Sequence, residues 1–387
     1  MTETSAAPAV AQSSAHSVSL PEPRASRRQD RGLTAVVHPT VLQRDIWLRA
    51  LSTLNRFRVI RAIDIAVACF PERPFKAALT AAQRAMRGLA KAKFVRRYRT
   101  NRFQHIYGLT TRGARWLQEH DVTAAASVRR VSEKTNPEHQ LWMNFIVLAC
   151  EARGLLALTE SEVWDELNPD TEKGQPLKQG LTKVDIKPDS RKASSEERTI
   201  DLDVEPPKPK WLRPDAIAIQ GDDVTWFEID ISTRGSYRAT ALTALATKIG
   251  CKLENGKSLR RVVVMTRDEI VYRRHVQLMR KKMKSANEAD IFLTRGCHFN
   301  ELAEGVFEVI APIWDEKASK SVLLIVGHVI FQLLPTWLPK VRLDASNRQP
   351  LSGWFEENYL PYRRPKSARP WPTPSSPLLR RHSMPSK

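Results

Sequence analysis

The stretch PDAIAIQGDDVTWFEIDIS, residues 214–232, constrains the fold more than any other part of the chain. Apolar and polar residues alternate on both sides of a GDD turn, the pattern of two half-buried strands joined by a tight connection. On the first strand Asp215, Ile217 and Ile219 share a side. On the return strand Phe227, Ile229 and Ile231 face one way, and Trp226, Glu228, Asp230 and Ser232 face the other. The acids are therefore gathered on one face, and pairing across the turn draws Asp215 toward Glu228 and Asp230. Three clustered carboxylates repel unless neutralised, and a Mg²⁺ or Mn²⁺ ion bound through oxygens is a common remedy. The competing expectation is a charged hairpin whose acids are solvated or pair with Arg213, Arg234 and Arg238.

A second constraint lies upstream. Between Glu72 and Glu119 there is no acidic residue, while Arg73, Lys76, Arg84, Arg87, Lys91, Lys93, Arg96, Arg97, Arg99, Arg102, Arg112 and Arg115 all fall inside. Solvated faces usually mix signs, so this segregation points to a surface selected for phosphate. Over 75–91 a helical period places Phe75, Leu79, Ala82, Met86 and Leu89 on one face and Lys76, Arg84, Arg87 and Lys91 on another. Pro74 suits the start of that helix. Two earlier helices, TVLQRDIWLRALSTL and VIRAIDIAVACF, and a following strand-turn-strand over 94–109 give three helices and a basic hairpin. That order resembles a winged helix-turn-helix, with 75–91 as recognition helix and 94–109 as wing. Gly88, Leu89 and Phe94 lead into the wing; Tyr107, Leu109, Thr110 and Gly113 lead out. The resemblance implies double-stranded DNA as partner, with Lys76, Arg84, Arg87, Lys91, Lys93, Arg96, Arg97, Arg99 and Arg102 on its phosphates. A basic helical domain that docks protein or acidic lipid is the alternative.

After the acidic strands, ATALTALATKIGCKL reads as a helix and LRRVVVMT as an apolar strand, giving a β-β-α-β order. Such a core resembles the restriction-endonuclease-like, PD-(D/E)XK fold. Pro214, Asp215 and Glu228 match that family's motif, but its lysine position holds Asp230. The resemblance implies Asp215, Glu228 and Asp230 as metal ligands, and Asp215 and Glu228 with Lys248 on the following helix as catalytic groups. Lys248 would stabilise charge growing on the phosphate or orient water. The expected fold class is α/β (α+β), an N-terminal winged helix-turn-helix followed by a PD-(D/E)XK-like mixed sheet flanked by helices.

Elsewhere the sequence narrows the field. Lys and Arg outnumber Asp and Glu by 62 to 42, a formal charge of +20 that favours a polyanionic partner. The four cysteines, Cys69, Cys150, Cys251 and Cys297, form no CxxC pair, which argues against a zinc ribbon or a disulfide scaffold and for a cytoplasmic location. Residues 1–37 read as a disordered arm and 38–125 as the DNA-binding domain. Residues 135–158 read as one buried helix capped by Thr135 and Asn136, carrying His139 and Asn144 as its polar residues of interest. It opens a second domain, 135–285, with a polar insertion at about 165–210. An extension over 286–359 has no assigned role, and 360–387 form a basic Pro- and Arg-rich tail. Within SVLLIVGHVIFQLLPTWL, residues 321–338, the clean run Val322 to Phe331 is too short to cross about 30 Å as a helix, so a buried strand or helix is expected and a membrane partner is not.

The arrangement of winged helix, EH…N helix and RPDA…FEID as a whole resembles the replication-relaxation family of plasmids and integrative elements, a broad group that MobC-type mobilisation relaxases also resemble. The likeness covers about residues 40–285. It implies binding at an origin of transfer or replication, nicking of one strand there, and other mobilisation or replication proteins as partners. By position it carries over His139, Asn144, Asp215, Glu228, Asp230 and Lys248. A noncatalytic initiator, accessory or transcription factor with a degenerate nuclease fold is the alternative it leaves.

Overall fold

The computed structural model describes residues 39–70, 73, 75–100, 105–133, 137–152, 155–169, 175–186, 208–231, 236–294 and 296–334. The expected arm, Pro74, Arg102 with the hairpin tip, the caps Thr135 and Asn136, Ser232, Arg234, much of the polar insertion and the basic tail lie outside the described residues. The chain divides into two units, Met1–Leu42 and Gln43–Lys387, and apart from residues 39–42 the architecture below belongs to the second.

Three helices open it: α1 (Pro39–Phe57), α2 (Ala62–Cys69) and α3 (Phe75–Lys91). An antiparallel pair follows, β1 (Val95–Arg99) and β2 (His105–Leu109), then α4 (Thr111–Gln118) and α5 (Val128–Glu133). Asp64 starts α2 by accepting from the Arg61 backbone N–H at 2.9 Å and from its guanidinium at 2.7 Å, a buried pair whose hydrogen bonds offset its desolvation. Helix α3 buries Ala78, Ala82, Ala85, Met86 and Leu89. It ends where the Phe94 N–H reaches back to Leu89 O at 2.9 Å and the Lys93 N–H to Ala90 O at 3.0 Å. This double closure needs a left-handed residue, and Lys93 supplies it at φ 62° where glycine is usual.

The exit from the hairpin is locked just as tightly. The Thr110 hydroxyl donates to Phe94 O at 2.8 Å and accepts from the Gly113 N–H at 3.0 Å, capping α4. A Cβ on Gly113 would stand 2.2 Å from Phe94 O, so glycine is required there by contact. Tyr107 also exchanges backbone hydrogen bonds with Ile60, tying the hairpin to the segment between α1 and α2.

The remainder builds a seven-stranded mixed sheet. Its elements are α6 (Glu138–Ala152), β3 (Leu156–Thr159), α7 (Glu160–Leu167), β4 (Thr182–Ile186), β5 (Lys208–Leu212), β6 (Ala216–Gln220), β7 (Asp223–Asp230), α8 (Ser236–Ala246), β8 (Ser258–Thr266), α9 (Glu269–Asn287), α10 (Ile291–Thr294), β9 (His298–Ala303), β10 (Val306–Asp315) and β11 (Lys320–Leu333). Among the described residues the strand order is β3-β6-β7-β8-β11-β10-β9, with β4 and β5 paired apart from it. Strands β7, β8 and β11 run parallel in sequence across the centre, and every other pairing in the sheet is antiparallel.

Period-two alternation divides the sheet between two cores. Ala216, Ala218, Phe227, Ile229, Val263, Met265 and Ile330 pack with α6 and the N-terminal helices. Ile217, Ile219, Val224, Trp226, Val262, Val264, Val329 and Phe331 pack with α8 and α9. Being covered on both faces, the central strands read as nearly continuous apolar runs.

One of two expectations changes. The helix expected over 135–158 stops at Ala152, because Leu156–Thr159 pair with Ala216–Ile219 as an edge strand. Apolar content alone does not separate that run from the helix before it. The 321–338 stretch resolves as strand β11 up to Leu333, and Pro335 to Leu338 lie outside the described residues. Among the described residues no helix is long and apolar enough to cross a membrane.

Candidate functional site

The carboxylates sit at the carboxyl ends of β7 and β8, where open α/β sheets commonly place ligand sites. The register Ile217 to Trp226 and Ala216 to Phe227 puts Asp215 beside Glu228, and the Asp215 N–H donates to Phe227 O at 3.1 Å. Both acids lie on the sheet face that α8 and α9 cover. Glu228 is consequently buried, with a side chain 7 % exposed, and Asp215 is nearly so at 13 %.

Helix α8 delivers the neutralising charge from its first turn. The Arg238 guanidinium donates to Glu228 Oε2 at 2.6 Å and to Asp215 Oδ2 at 3.3 Å. Trp226 Nε1 donates to Glu228 Oε1 at 2.8 Å, and the Ile229 N–H donates to Asp215 Oδ2 at 2.7 Å. His139, from the first turn of α6, stands 3.3 Å from the same Asp215 oxygen. Burial, reinforced by repulsion from Asp215, pushes the Glu228 carboxyl up to about 8, while Arg238 and Trp226 act against that rise. Burial opposes the Arg238 charge, but Glu228 and Asp215 outweigh it and hold the guanidinium above its ordinary range.

Asp230 takes a different partner. Two residues past Glu228, it meets His275 Nε2 of α9 at 3.2 Å, and both side chains are buried. The three acids therefore share one sheet face, with Asp215 and Glu228 meeting at Arg238 and Asp230 meeting His275. Among the described residues no group of three or more His, Cys, Asp or Glu side chains is placed to hold a metal ion. The donor set explains this, because a guanidinium stands between Asp215 and Glu228 where a bridging cation would sit. As arranged, these residues do not fit Mg²⁺ or Mn²⁺.

Lys248 lies two residues past the end of α8 at Ala246, whereas Arg238 stands in the first turn of that helix. Asn144 points elsewhere: its Nδ2 donates to Val59 O at 2.5 Å, a buried bond that fastens α6 to the helical region. Arg56, ending α1, reinforces that attachment by reaching Glu151 at 2.7 Å and Glu162 at 2.6 Å. Arg213 stands 3.9 Å from Glu160.

The sequence marks Arg238 only as one of three arginines able to pair with a hairpin's acids, and it does not single out His275. Its burial is legible, since Val271, His275 and Met279 repeat at core spacing along α9, but its partner Asp230 is not.

The basic surface is a second candidate. On α3, Lys76, Arg84, Arg87 and Lys91 are exposed opposite the buried stripe; Lys93 is exposed at the helix end, and Arg96, Arg97 and Arg99 are exposed on β1. Arg73, Lys76, Thr80 and Arg84 line a shallow surface groove. Arg102 lies outside the described residues. Helix α3 packs against β1, so the two sets of cations adjoin.

No curated protein and no solved structure matches the chain. A family model does, over residues 47–250, from Trp47 on α1 through the basic helix, α6 and the carboxylate strands to Gly250 just past α8. With more than half of its length so matched, the chain belongs to the replication-relaxation family.

Proposed function

We propose that the protein binds double-stranded DNA at an origin of replication or transfer of a plasmid or integrative element. Helix α3 serves as the recognition helix of a winged helix-turn-helix and β1–β2 as its wing. The carrying observation is the exposed row of Lys76, Arg84, Arg87, Lys91, Lys93, Arg96 and Arg97, in a segment without one carboxylate between residues 73 and 118. Such a row neutralises phosphates and releases counterions, which positions the protein on duplex without fixing which bases are read. The sheet domain, with a β6-β7-α8-β8 order of the restriction-endonuclease-like kind, is read as a noncatalytic scaffold whose acids are neutralised internally by Arg238.

A second reading, metal-dependent nicking of one strand, has one observation in its favour, the convergence of Asp215 and Glu228. It requires Arg238 to leave.

Fluorescence anisotropy on duplex DNA at several salt concentrations tests the first reading. Replacing Arg84, Arg87 and Lys91 together by Ala should weaken binding at least tenfold and reduce the salt slope by roughly 3. Unchanged affinity and slope would remove the winged-helix assignment. Incubation of supercoiled plasmid with Mg²⁺ or Mn²⁺ separates the two readings: intact plasmid is expected, whereas nicking lost in Asp215→Ala and Glu228→Ala would establish the second.

A further inference from the structure

Near the start of β8, away from the carboxylates, two β-bulges abut. On β8 the register steps from Val224 opposite Leu259 to Thr225 opposite Arg261, so Arg260 is an extra residue. On β11 it steps from Val309 opposite Gly327 to Ile310 opposite Ile325, so Val326 is another. The two extra residues meet. Arg260 donates from Nη1 to Val326 O at 3.1 Å, and a Cβ on Gly327 would stand 2.0 Å from Arg260 O. A bulge bends its strand and re-aims side chains, and two in contact on neighbouring strands are a built feature.

Beside them lies a cavity of about 390 Å³. Adjacent residues of a regular strand point to opposite faces, yet Arg260 and Arg261 both line it, with Asp223, His328 and the apolar Ile313 and Leu324. The extra residue on β8 accounts for that. Apolar walls with a few converging polar groups, in this range of volume, are the usual chemistry of a small-molecule site.

The polar groups favour an anion. Arg260 Nε donates to Asp223 Oδ1 at 3.0 Å, and its Nη2 has no hydrogen-bond partner among the described residues. Arg261, 4 % exposed, donates to the Thr225 hydroxyl at 3.2 Å. His328 is buried opposite Arg261 in the register, and Glu308, which is not part of the lining, stands 3.8 Å from its Nε2. Burial holds the imidazole below its ordinary range, Glu308 opposes that and Arg261 adds to it, so the ring is neutral at pH 7 and keeps one N–H to donate. Two guanidiniums against one carboxylate leave the lining with one positive charge in excess.

Three nitrogen donors arriving from two strands outnumber the two oxygens of a carboxylate and suit a tetrahedral phosphoryl group, which planar guanidiniums match. Its carrier must be small. A guanidinium 4 % exposed is out of reach of the backbone phosphates of a duplex, whereas Ile313 and Leu324, 41 % and 50 % exposed, offer an apolar lip to the body of an ester.

We propose that this cavity binds a small organic phosphate ester, with Arg260, Arg261 and His328 on the phosphoryl oxygens and Ile313 and Leu324 against the organic group. These five residues all lie beyond the span 47–250 that the family model matches, and the site stands apart from the DNA-binding reading.

Titration calorimetry of the full chain with phenyl phosphate should show one bound per chain, with a midpoint on the order of 1 mM or lower. Arg261→Gln should weaken binding at least tenfold. Because Arg261 is buried, Leu324→Glu at the half-exposed lip provides a variant that spares the fold, and it should weaken binding at least tenfold with the thermal midpoint unchanged. Benzoate should bind at least tenfold more weakly than phenyl phosphate, and a short DNA duplex should leave the ester in place. No saturable binding, or binding indifferent to Leu324→Glu, would overturn the proposal. Benzoate binding as tightly would refute the phosphoryl head, and displacement by duplex would refute the small carrier and assign the cavity to the DNA surface.

Discussion

Arg238 donates to Glu228 Oε2. The two groups meet at 2.6 Å, the guanidinium arriving from α8 onto a carboxyl group whose side chain is 7 % exposed. Removing one partner of such a pair strands the other. Arg238→Ala should cost about 2 kcal/mol, below the usual range for a buried pair because the Arg238 side chain is itself 39 % exposed. Adding Glu228→Gln to it should restore most of that loss. A double-mutant cycle by chemical denaturation measures the coupling, and additive losses would show the two residues to be independent.

Stability should depend on pH through Glu228. Its folded carboxyl holds its proton up to about 8, above the ordinary value of 4.5. Between these values the folded state binds more protons than the unfolded state, so stability is full below pH 4.5 and falls as pH rises toward 8. The thermal midpoint should drop by on the order of 5 °C across that window, and the slope should flatten in Glu228→Gln. An equally steep slope in the variant would locate the titration elsewhere.

Lys93 occupies a left-handed position, φ 62°, that glycine fills at no steric cost. Lys93→Gly should therefore stabilise the fold by about 1 kcal/mol. The same change deletes an exposed cation, and the salt slope of duplex binding should fall by about 1. A gain in stability with unaltered DNA binding would remove Lys93 from the interface.

Gly113→Ala tests the junction between hairpin and α4. The new methyl would meet Phe94 O at 2.2 Å, and a backbone oxygen held by Thr110 cannot step aside. A loss of roughly 2–4 kcal/mol is expected in urea unfolding.

Asn144→Ala should cost about 1–3 kcal/mol, because it leaves the Val59 carbonyl buried without its donor. A neutral result would mean that water replaces the amide.

Much of this was legible in the residues. Alternation across GDD predicts that Asp215 and Glu228 share a face, and the observed register puts them side by side. The spacing of Ala82, Met86 and Leu89 likewise marks the buried stripe of α3. What the sequence could not convey is which cation closes the acidic site. Arg238 and Lys248 lie on or beside the same short helix, and only the direction in which α8 crosses the sheet decides that its first turn, not its end, meets the acids. His275 escaped notice for a related reason: it reaches Asp230 across 45 positions of chain, and no local period reports a contact of that range. The end of α6 is not legible in the sequence because strand pairing with β6 decides the state of Leu156–Thr159, and that pairing is a property of the sheet.

Helix α6 has one more consequence. Its first turn touches Asp215 through His139, and one and a half turns later Asn144 grips Val59. Helix α6 thus touches both the acidic pocket and the segment between α1 and α2, and neither can be exchanged as a free module. A chimera that grafts a foreign N-terminal helical region onto this sheet must supply a carbonyl for Asn144 and an arginine for Glu151 and Glu162. Without them the graft would leave three buried or half-buried polar groups facing an empty seam.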